Sequence, residues 1–181
     1  MVYLLLGDGF EEAEAIIPTD LLRRAGVEVK LVALEGELVT SSHGVTVAAD
    51  CTLDEVDAEQ MEMLVLPGGL GGVESIQLNL FAMALIQKAC DRGAYVAAIC
   101  AAPTILTTLG VLDRRKAVCY PGMEEEMGSA VIQRGAPVVE DGRFITGEAA
   151  GSGFDFGLKL VEALKGKEAA QQVKHAVYYR H

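Results

Sequence analysis

VYLLLGDGFEEAEAIIPTDLLRRAGVEVKLVAL, residues 2–34, carries three local instructions in succession. Val2 to Leu6 is an aliphatic run of strand length, Gly7-Asp8-Gly9 interrupts it, and an amphipathic stretch from about Glu11 to Ala25 follows. Gly26 stands where a helix C-cap is expected, and Val27 to Leu34 runs apolar again as a second strand. The first 34 residues therefore predict one βαβ unit.

Further along, the same alternation continues. Met61 to Leu66 reads as a compact buried strand ending in Pro67-Gly68-Gly69, Leu80 to Arg92 as a helix closed by Gly93, and Ala94 to Ile99 as another buried strand. From Cys100 to about Leu109 the pattern is helical, and Lys116 to Tyr120 reads as a short strand. Val138-Val139 and Phe144 to Thr146 flank the turn Asp141-Gly142, and helices follow over about 152–165 and 167–179. Between the first two units, Glu37 to Thr40 and Val45 to Ala48 flank Ser41-Ser42-His43-Gly44 and suggest a small hairpin at a sheet edge. Strands apolar on both faces, alternating with helices, predict a parallel sheet covered on both sides. The expected fold is a flavodoxin-like, three-layer α/β sandwich with a small edge hairpin, formed as one domain over residues 1–181.

Composition narrows the function. The chain has 181 residues, 51% of them hydrophobic, enough to bury a core without disulfides or metals. Its N-terminus has no basic region before the apolar run, and its apolar runs are strand-sized, so neither a signal peptide nor a membrane-spanning helix is expected. Cys51, Cys90, Cys100 and Cys119 lack the C-x-x-C spacing of zinc or dithiol sites, and free thiols in a reducing, cytoplasmic compartment are the expectation. A net charge of -11 repels phosphate backbones and anionic membranes, which disfavours both as partners. A small neutral substrate, or another protein, fits better. No residue pattern calls for a cofactor or a metal, since Gly68-Gly69-Leu70-Gly71-Gly72 has neither the lysine of a phosphate loop nor dinucleotide spacing.

In open parallel sheets ligands bind beyond the carboxyl ends of the strands. That rule selects the loops Gly7 to Glu14, Pro67 to Gly72, Cys100 to Pro103 and Tyr120 to Gly122. Ala98-Ile99-Cys100-Ala101-Ala102 puts a thiol at a strand-to-helix junction between small residues, the spacing of a nucleophile elbow. A helix N-terminus behind Cys100 is expected to lower its pKa and favour thiolate. Cys51, Cys90 and Cys119 read as buried apolar cysteines. A glycine after Pro67 lets a backbone N–H enter the same crevice, where with the Ala101 N–H it could form an oxyanion hole. Glu11, Glu12 and Glu14 open the first helix, where carboxylates meet the dipole favourably. One of the three, turned inward beneath the thiol, would be desolvated, would hold its proton, and could move protons on a substrate. His43, His175 and His181 offer no evident Cys-His dyad, and Glu124-Glu125-Glu126 reads as a solvated helix face.

Four motifs, in order and spacing, make the chain resemble the DJ-1/ThiJ/PfpI family: Gly9-Phe10-Glu11-Glu12-Ala13-Glu14, Leu66-Pro67-Gly68-Gly69, Ala97-Ala98-Ile99-Cys100-Ala101-Ala102-Pro103, and Gly153-Phe154-Asp155-Phe156. The resemblance implies that Glu14 is the protonated glutamate beside the cysteine, that Cys100 is the reactive thiol, and that Gly69 and Ala101 supply the oxyanion-hole amides. Ala101 follows the cysteine where the protease and chaperone branches carry histidine, so the resemblance is to the DJ-1 and ThiJ branch, and a peptidase role is disfavoured. Tyr120 occupies the position of a site histidine in some relatives. His43 and Glu148 stand where relatives carry arginine, and Ala149-Ala150-Gly151-Ser152 stands where they carry Gly-Pro-Gly-Thr. Two functions follow from the resemblance. One is a stress-protective enzyme of the glyoxalase III or deglycase type acting on 2-oxoaldehydes through Cys100 and Glu14. The other is a redox-sensing or chaperone-like protein in which Cys100 is oxidised to sulfenate or sulfinate without turnover. A homodimer is expected from the family and from the apolar character of the first helix.

Overall fold

The computed structural model describes residues 1–180, so the reading of His181 lies outside the described residues. β1 (Val2–Leu6), α1 (Glu12–Arg24) and β2 (Val29–Ala33) form the βαβ unit, with β1 and β2 parallel and Val2 opposite Val29. α1 starts where the Glu11 side chain accepts the Glu14 N–H, and it stops at Ala25, after which Gly26 takes a φ of 70° that a β-carbon would disfavour. β3 (Leu38–Thr40) and β4 (Thr46–Ala48) pair antiparallel, and then come β5 (Cys51–Thr52), β6 (Met63–Leu66), α2 (Leu70–Leu78), α3 (Leu80–Asp91), β7 (Tyr95–Ile99) and α4 (Pro103–Thr108). The chain ends with β8 (Lys116–Ala117), β9 (Val131–Ile132), β10 (Val138–Asp141), β11 (Phe144–Gly147), α5 (Gly153–Lys165) and α6 (Lys167–Ala176).

Seven strands make the central sheet in the order β10-β11-β7-β6-β1-β2-β5, parallel throughout except for β10. From β1 the chain steps outward to β2 and β5, then returns across β1 to build β6, β7 and β11. The direction of winding thus reverses between β1 and β6, which makes the carboxyl ends of these two strands the floor of the expected ligand crevice.

Strand side chains alternate between two separate cores. Val2, Leu4 and Leu6 point to one face, where α1, α5 and α6 cover them with Leu21, Leu22, Phe156, Leu160 and Val173. Tyr3 and Leu5 point to the other, where α2, α3 and α4 supply Val73, Ile76, Ile86, Ile105 and Leu106. The expected α/β sandwich is therefore formed, each strand being apolar throughout because both of its faces are buried.

Some local expectations need correction. The β3–β4 hairpin is a sheet of its own, tied to the β1–α1 loop by the Gly9 N–H on the Thr40 carbonyl, and β5 is the edge strand. Leu70 to Gly72, expected within the loop Pro67 to Gly72, instead open α2, whose Gly71 and Gly72 sit inside a nine-residue helix that only tertiary packing can sustain. The strand expected over Lys116 to Tyr120 is two residues long and pairs in parallel with β9 outside the main sheet. Glu124 to Met127 forms a 3₁₀ turn, not an α-helical face. Cys119 is buried as expected, whereas Cys51 and Cys90 are only partly covered, although both rest against the α2–α3 core.

α1 packs against α5 along the face that carries Gly157. At Gly157 a β-carbon would lie 2.7 Å from Leu21 Cδ1 and 3.0 Å from the Pro18 Cα. Overpacking of this kind costs about 1–3 kcal/mol, more than the ~1 kcal/mol that alanine gains over glycine in a helix. Gly157→Ala should therefore lower the urea midpoint; an unchanged or raised midpoint would show that α1 and α5 slide apart freely.

Candidate active site

Cys100 sits immediately after β7, and its backbone is held in a conformation that L-residues avoid, with φ at 66°. Two hydrogen bonds fix it there. Its N–H donates to the Gly147 carbonyl at 3.0 Å, and its carbonyl accepts the Tyr120 N–H at 2.8 Å. Alanines on either side, all buried, leave room for the turn.

Glu14 reaches the same point from α1. It lies in phase with Pro18, Leu21 and Leu22 on the face that α1 buries, and it is 0% exposed. One carboxyl oxygen, Oε2, accepts the Gly68 N–H at 2.8 Å, while the Gly68 carbonyl accepts the Glu11 N–H at 3.0 Å. Gly68 is hemmed between the carboxyl and the thiol: a β-carbon there would lie 2.5 Å from Glu14 Oε2 and 2.7 Å from Cys100 Cβ. Gly69 follows with φ at 84°, which directs its N–H towards the sulfur as α2 begins.

Glu14 and Cys100 act on one another electrostatically. Burial raises the Glu14 pKa from 4.5 to about 7, against the lowering effects of Cys100 and of the Gly68 N–H. The Cys100 thiol is pushed up to about 12, first by burial and then by the charge of Glu14, although the Ala101 and Gly69 N–H groups favour its thiolate. Glu14 Oε1 is buried without a hydrogen bond of good geometry, so the interaction of the pair is better described as short-range charge coupling than as a formed bond to sulfur. Two protons are held below about pH 7 and one above it, shared by the pair.

This corrects the expectation of a thiolate stabilised by the helix behind Cys100. α4 is only six residues long and begins at Pro103, too short to offset burial, and what favours the thiolate is the Ala101 N–H first and the Gly69 N–H ahead of α2 second. The other thiols are raised as well: burial raises Cys51, and takes Cys90 and Cys119 to about 11.

Tyr120 touches Cys100 through its backbone, and its side chain is half exposed. His43 is also exposed, with Nδ1 at 3.0 Å from Glu12 Oε1. Glu11, Glu12 and His43 are the one group among the described residues with metal-like spacing, but Glu11 is occupied in capping α1, and Glu12 is occupied with His43. Glu148 follows Gly147, which pairs in register with Ile99, and it lines a small cleft with Cys119 and Arg134. The cavities of about 510, 310 and 280 Å³ are lined by neither Cys100 nor Glu14.

A model of the DJ-1/PfpI family matches residues 1–163. The chain belongs to the DJ-1/PfpI family. Among proteins of that family, dj-1beta of Drosophila melanogaster is 37% identical over 94% of this chain and 92% of its own, and its crystal structure superposes with a TM-score of 0.95 over 99% and 98% of the two chains. A deglycase of Pyrococcus horikoshii is 35% identical over 91% of this chain and 99% of its own. A structure of oxidised DJ-1 from Toxoplasma gondii, 32% identical, superposes at a TM-score of 0.94 over 99% and 98%. Within this DJ-1/PfpI protein, Gly68, part of the expected Pro67-Gly68-Gly69 turn, gives its N–H to Glu14, and Gly147, which the sequence does not single out, holds the Cys100 N–H. Gly147 left no signal in the sequence, whereas the phase of Glu14 with the buried face of α1 was available to be read.

The raised Glu14 pKa fixes the sign of a stability effect. Folding favours the protonated carboxyl, so its contribution is fully present below pH 4.5, declines as pH rises, and is lost above about 7. That interval corresponds to about 3 kcal/mol for a group fully removed from solvent. Glu14→Gln retains an oxygen for Gly68 and does not titrate. Its unfolding free energy in urea should gain on wild type by about 3 kcal/mol from pH 4 to pH 8, and a constant difference would show that Glu14 is solvated in the folded protein.

Proposed function

We propose that this DJ-1/PfpI protein is a stress-protective enzyme that converts 2-oxoaldehydes to 2-hydroxy acids, in the manner of a glutathione-independent glyoxalase, and that it extends to deglycation of adducts. The observation that carries the reading is the buried Glu14 carboxyl, with a pKa of about 7, coupled to a thiol on a strained turn. A group that titrates near neutral pH both accepts and returns protons efficiently. Relatives named deglycase support the same class.

In this scheme the Glu14 carboxylate takes the Cys100 proton as sulfur attacks the aldehyde carbon of methylglyoxal, and returns it to the new oxyanion, giving a hemithioacetal. The Gly69 and Ala101 N–H groups stabilise that oxyanion as its charge develops. Glu14 then removes the proton from the former aldehyde carbon, leaving an enediolate with its charge on the neighbouring oxygen, and delivers that proton to the neighbouring carbon while the hydroxyl proton of the former aldehyde carbon passes to that oxygen. The product is a lactoyl thioester, which water hydrolyses to lactate and free Cys100. Tyr120 borders the thiol through its backbone and supplies no imidazole, so turnover is expected to be slow.

A second reading, oxidation of Cys100 without turnover, draws on the oxidised Toxoplasma gondii relative. Methylglyoxal consumption and intact mass after mild peroxide separate the two. Cys100→Ala should abolish both lactate formation and the gain of oxygen. Glu14→Gln should lower kcat by about 10²-fold or more while leaving oxidation of Cys100 intact. Lactate formation by Glu14→Gln at the wild-type rate would exclude Glu14 as the proton carrier; a wild type that gains oxygen but makes no lactate would leave the redox reading.

We further propose a homodimer, with the exposed Ile16 of α1 at the contact. Light scattering at micromolar concentration should give twice the chain mass, and Ile16→Glu should return the mass of one chain.

A further inference from the structure

Away from Cys100, two cavities join into one groove. The smaller, of about 280 Å³, is lined by Asp8, Glu35, Ser75 and Asn79, with Leu78 at its lip. The larger, of about 510 Å³, is lined chiefly by Leu53, Val56, Phe81 and Leu85. Leu34, Glu35 and Asn79 belong to both, so the groove runs unbroken from a polar end to an apolar one. It lies beyond the carboxyl ends of β1 and β2, a position where open parallel sheets receive ligands.

The apolar end is uncovered. Phe81, Leu85 and Lys88 stand at positions i, i+4 and i+7 on one face of α3, and Phe81 is 80% exposed, with Leu78 close to it in sequence at 75%. Exposed apolar surface gathered around a concavity marks an interaction site, where a lone exposed residue would not.

Charge selects the occupant. Glu35 stands between the two cavities and, among the described residues, has no hydrogen bond or ion pair. Asp8 Oδ1 accepts the Thr40 N–H and Asp54 accepts the Thr52 hydroxyl, and each remains an exposed carboxylate at the groove. The cation of the larger cavity, Lys88, faces Glu59 at 3.8 Å. The rim is therefore acidic, on a chain whose net charge is -11. Two copies of this face brought together about a two-fold axis would set one acidic rim against another, which disfavours a second copy of the chain.

We propose that this groove docks a basic amphipathic segment of another protein, with a leucine- or phenylalanine-sized side chain against Phe81 and Leu53 and a lysine or arginine at Glu35 and Asp8. Such anchors with cationic flanks match apolar depth to acidic rim, and the charges would both steer the encounter and set its orientation.

Fluorescence anisotropy of a labelled Leu/Lys amphipathic peptide, titrated with the full chain, tests this. A Ser/Lys peptide of equal charge and a Leu/Glu peptide serve as probes of each component. The Leu/Lys peptide should bind at least about tenfold more tightly than the Ser/Lys one, and the Leu/Glu peptide should not bind. Phe81→Ser, a change at an exposed position, and Glu35→Lys should each weaken binding about tenfold. Glu168→Lys on α6 alters net charge equally at an exposed site away from the groove and should leave binding unchanged. Cys100→Ala should bind like wild type, which keeps this result independent of the proposed catalysis. Equal losses in Glu35→Lys and Glu168→Lys would reduce the effect to bulk charge and overturn the site. So would undiminished binding by Phe81→Ser, or conversion of a dimer to a monomer by that substitution, which would make a second copy the occupant.

Discussion

Gly68 is bonded in both directions to the first turn of α1, and the rest of the site depends on that pair of bonds. Its N–H holds Glu14 Oε2 and its carbonyl holds the Glu11 N–H, so the loop after β6 and the start of α1 cannot move independently. The two loops belong to the strands at which the sheet reverses its winding. No side chain larger than hydrogen fits at position 68, because the carboxyl and the thiol already occupy the space on either side. The topology brings the loops together, and the missing β-carbon lets them touch.

Once that contact is made, the charge state follows. A carboxyl sealed into the α1 stripe loses water on every side and recovers one amide, which is too little to keep it fully ionised at neutral pH. A thiol placed against it inherits the same handicap and adds the repulsion of a neighbouring charge. Two amides at the sulfur oppose this without prevailing. The balance keeps the thiol protonated while the carboxyl titrates near neutral pH, a different device from a permanently ionised cysteine.

Much of this was legible in the residues, and the limits have physical causes. The βαβ opening and the strands Met63–Leu66 and Tyr95–Ile99 announce themselves because strands buried on two faces have no polar positions to confuse the pattern. The elbow at Cys100 was visible from its small neighbours. α2 was hidden, since Gly71 and Gly72 oppose helix formation locally and yield only to the close approach of Gly9 and Phe10. The ionisation of Cys100 was misjudged for a related reason: helix polarity can be inferred along the chain, whereas desolvation depends on everything that packs around the sulfur from afar in sequence.

The positive φ of Cys100 has a consequence for the molecule's robustness. A left-handed conformation at a residue with a β-carbon costs on the order of 1–2 kcal/mol, a tax that glycine at the same place would not incur. Glycine there would relieve the backbone and uncouple Glu14 from its partner at one stroke, giving a sturdier chain with no thiol at the turn. A lineage selected for durability alone would drift towards that replacement. Keeping a cysteine at φ 66° therefore sets the chemistry of the turn against the ease with which the chain folds.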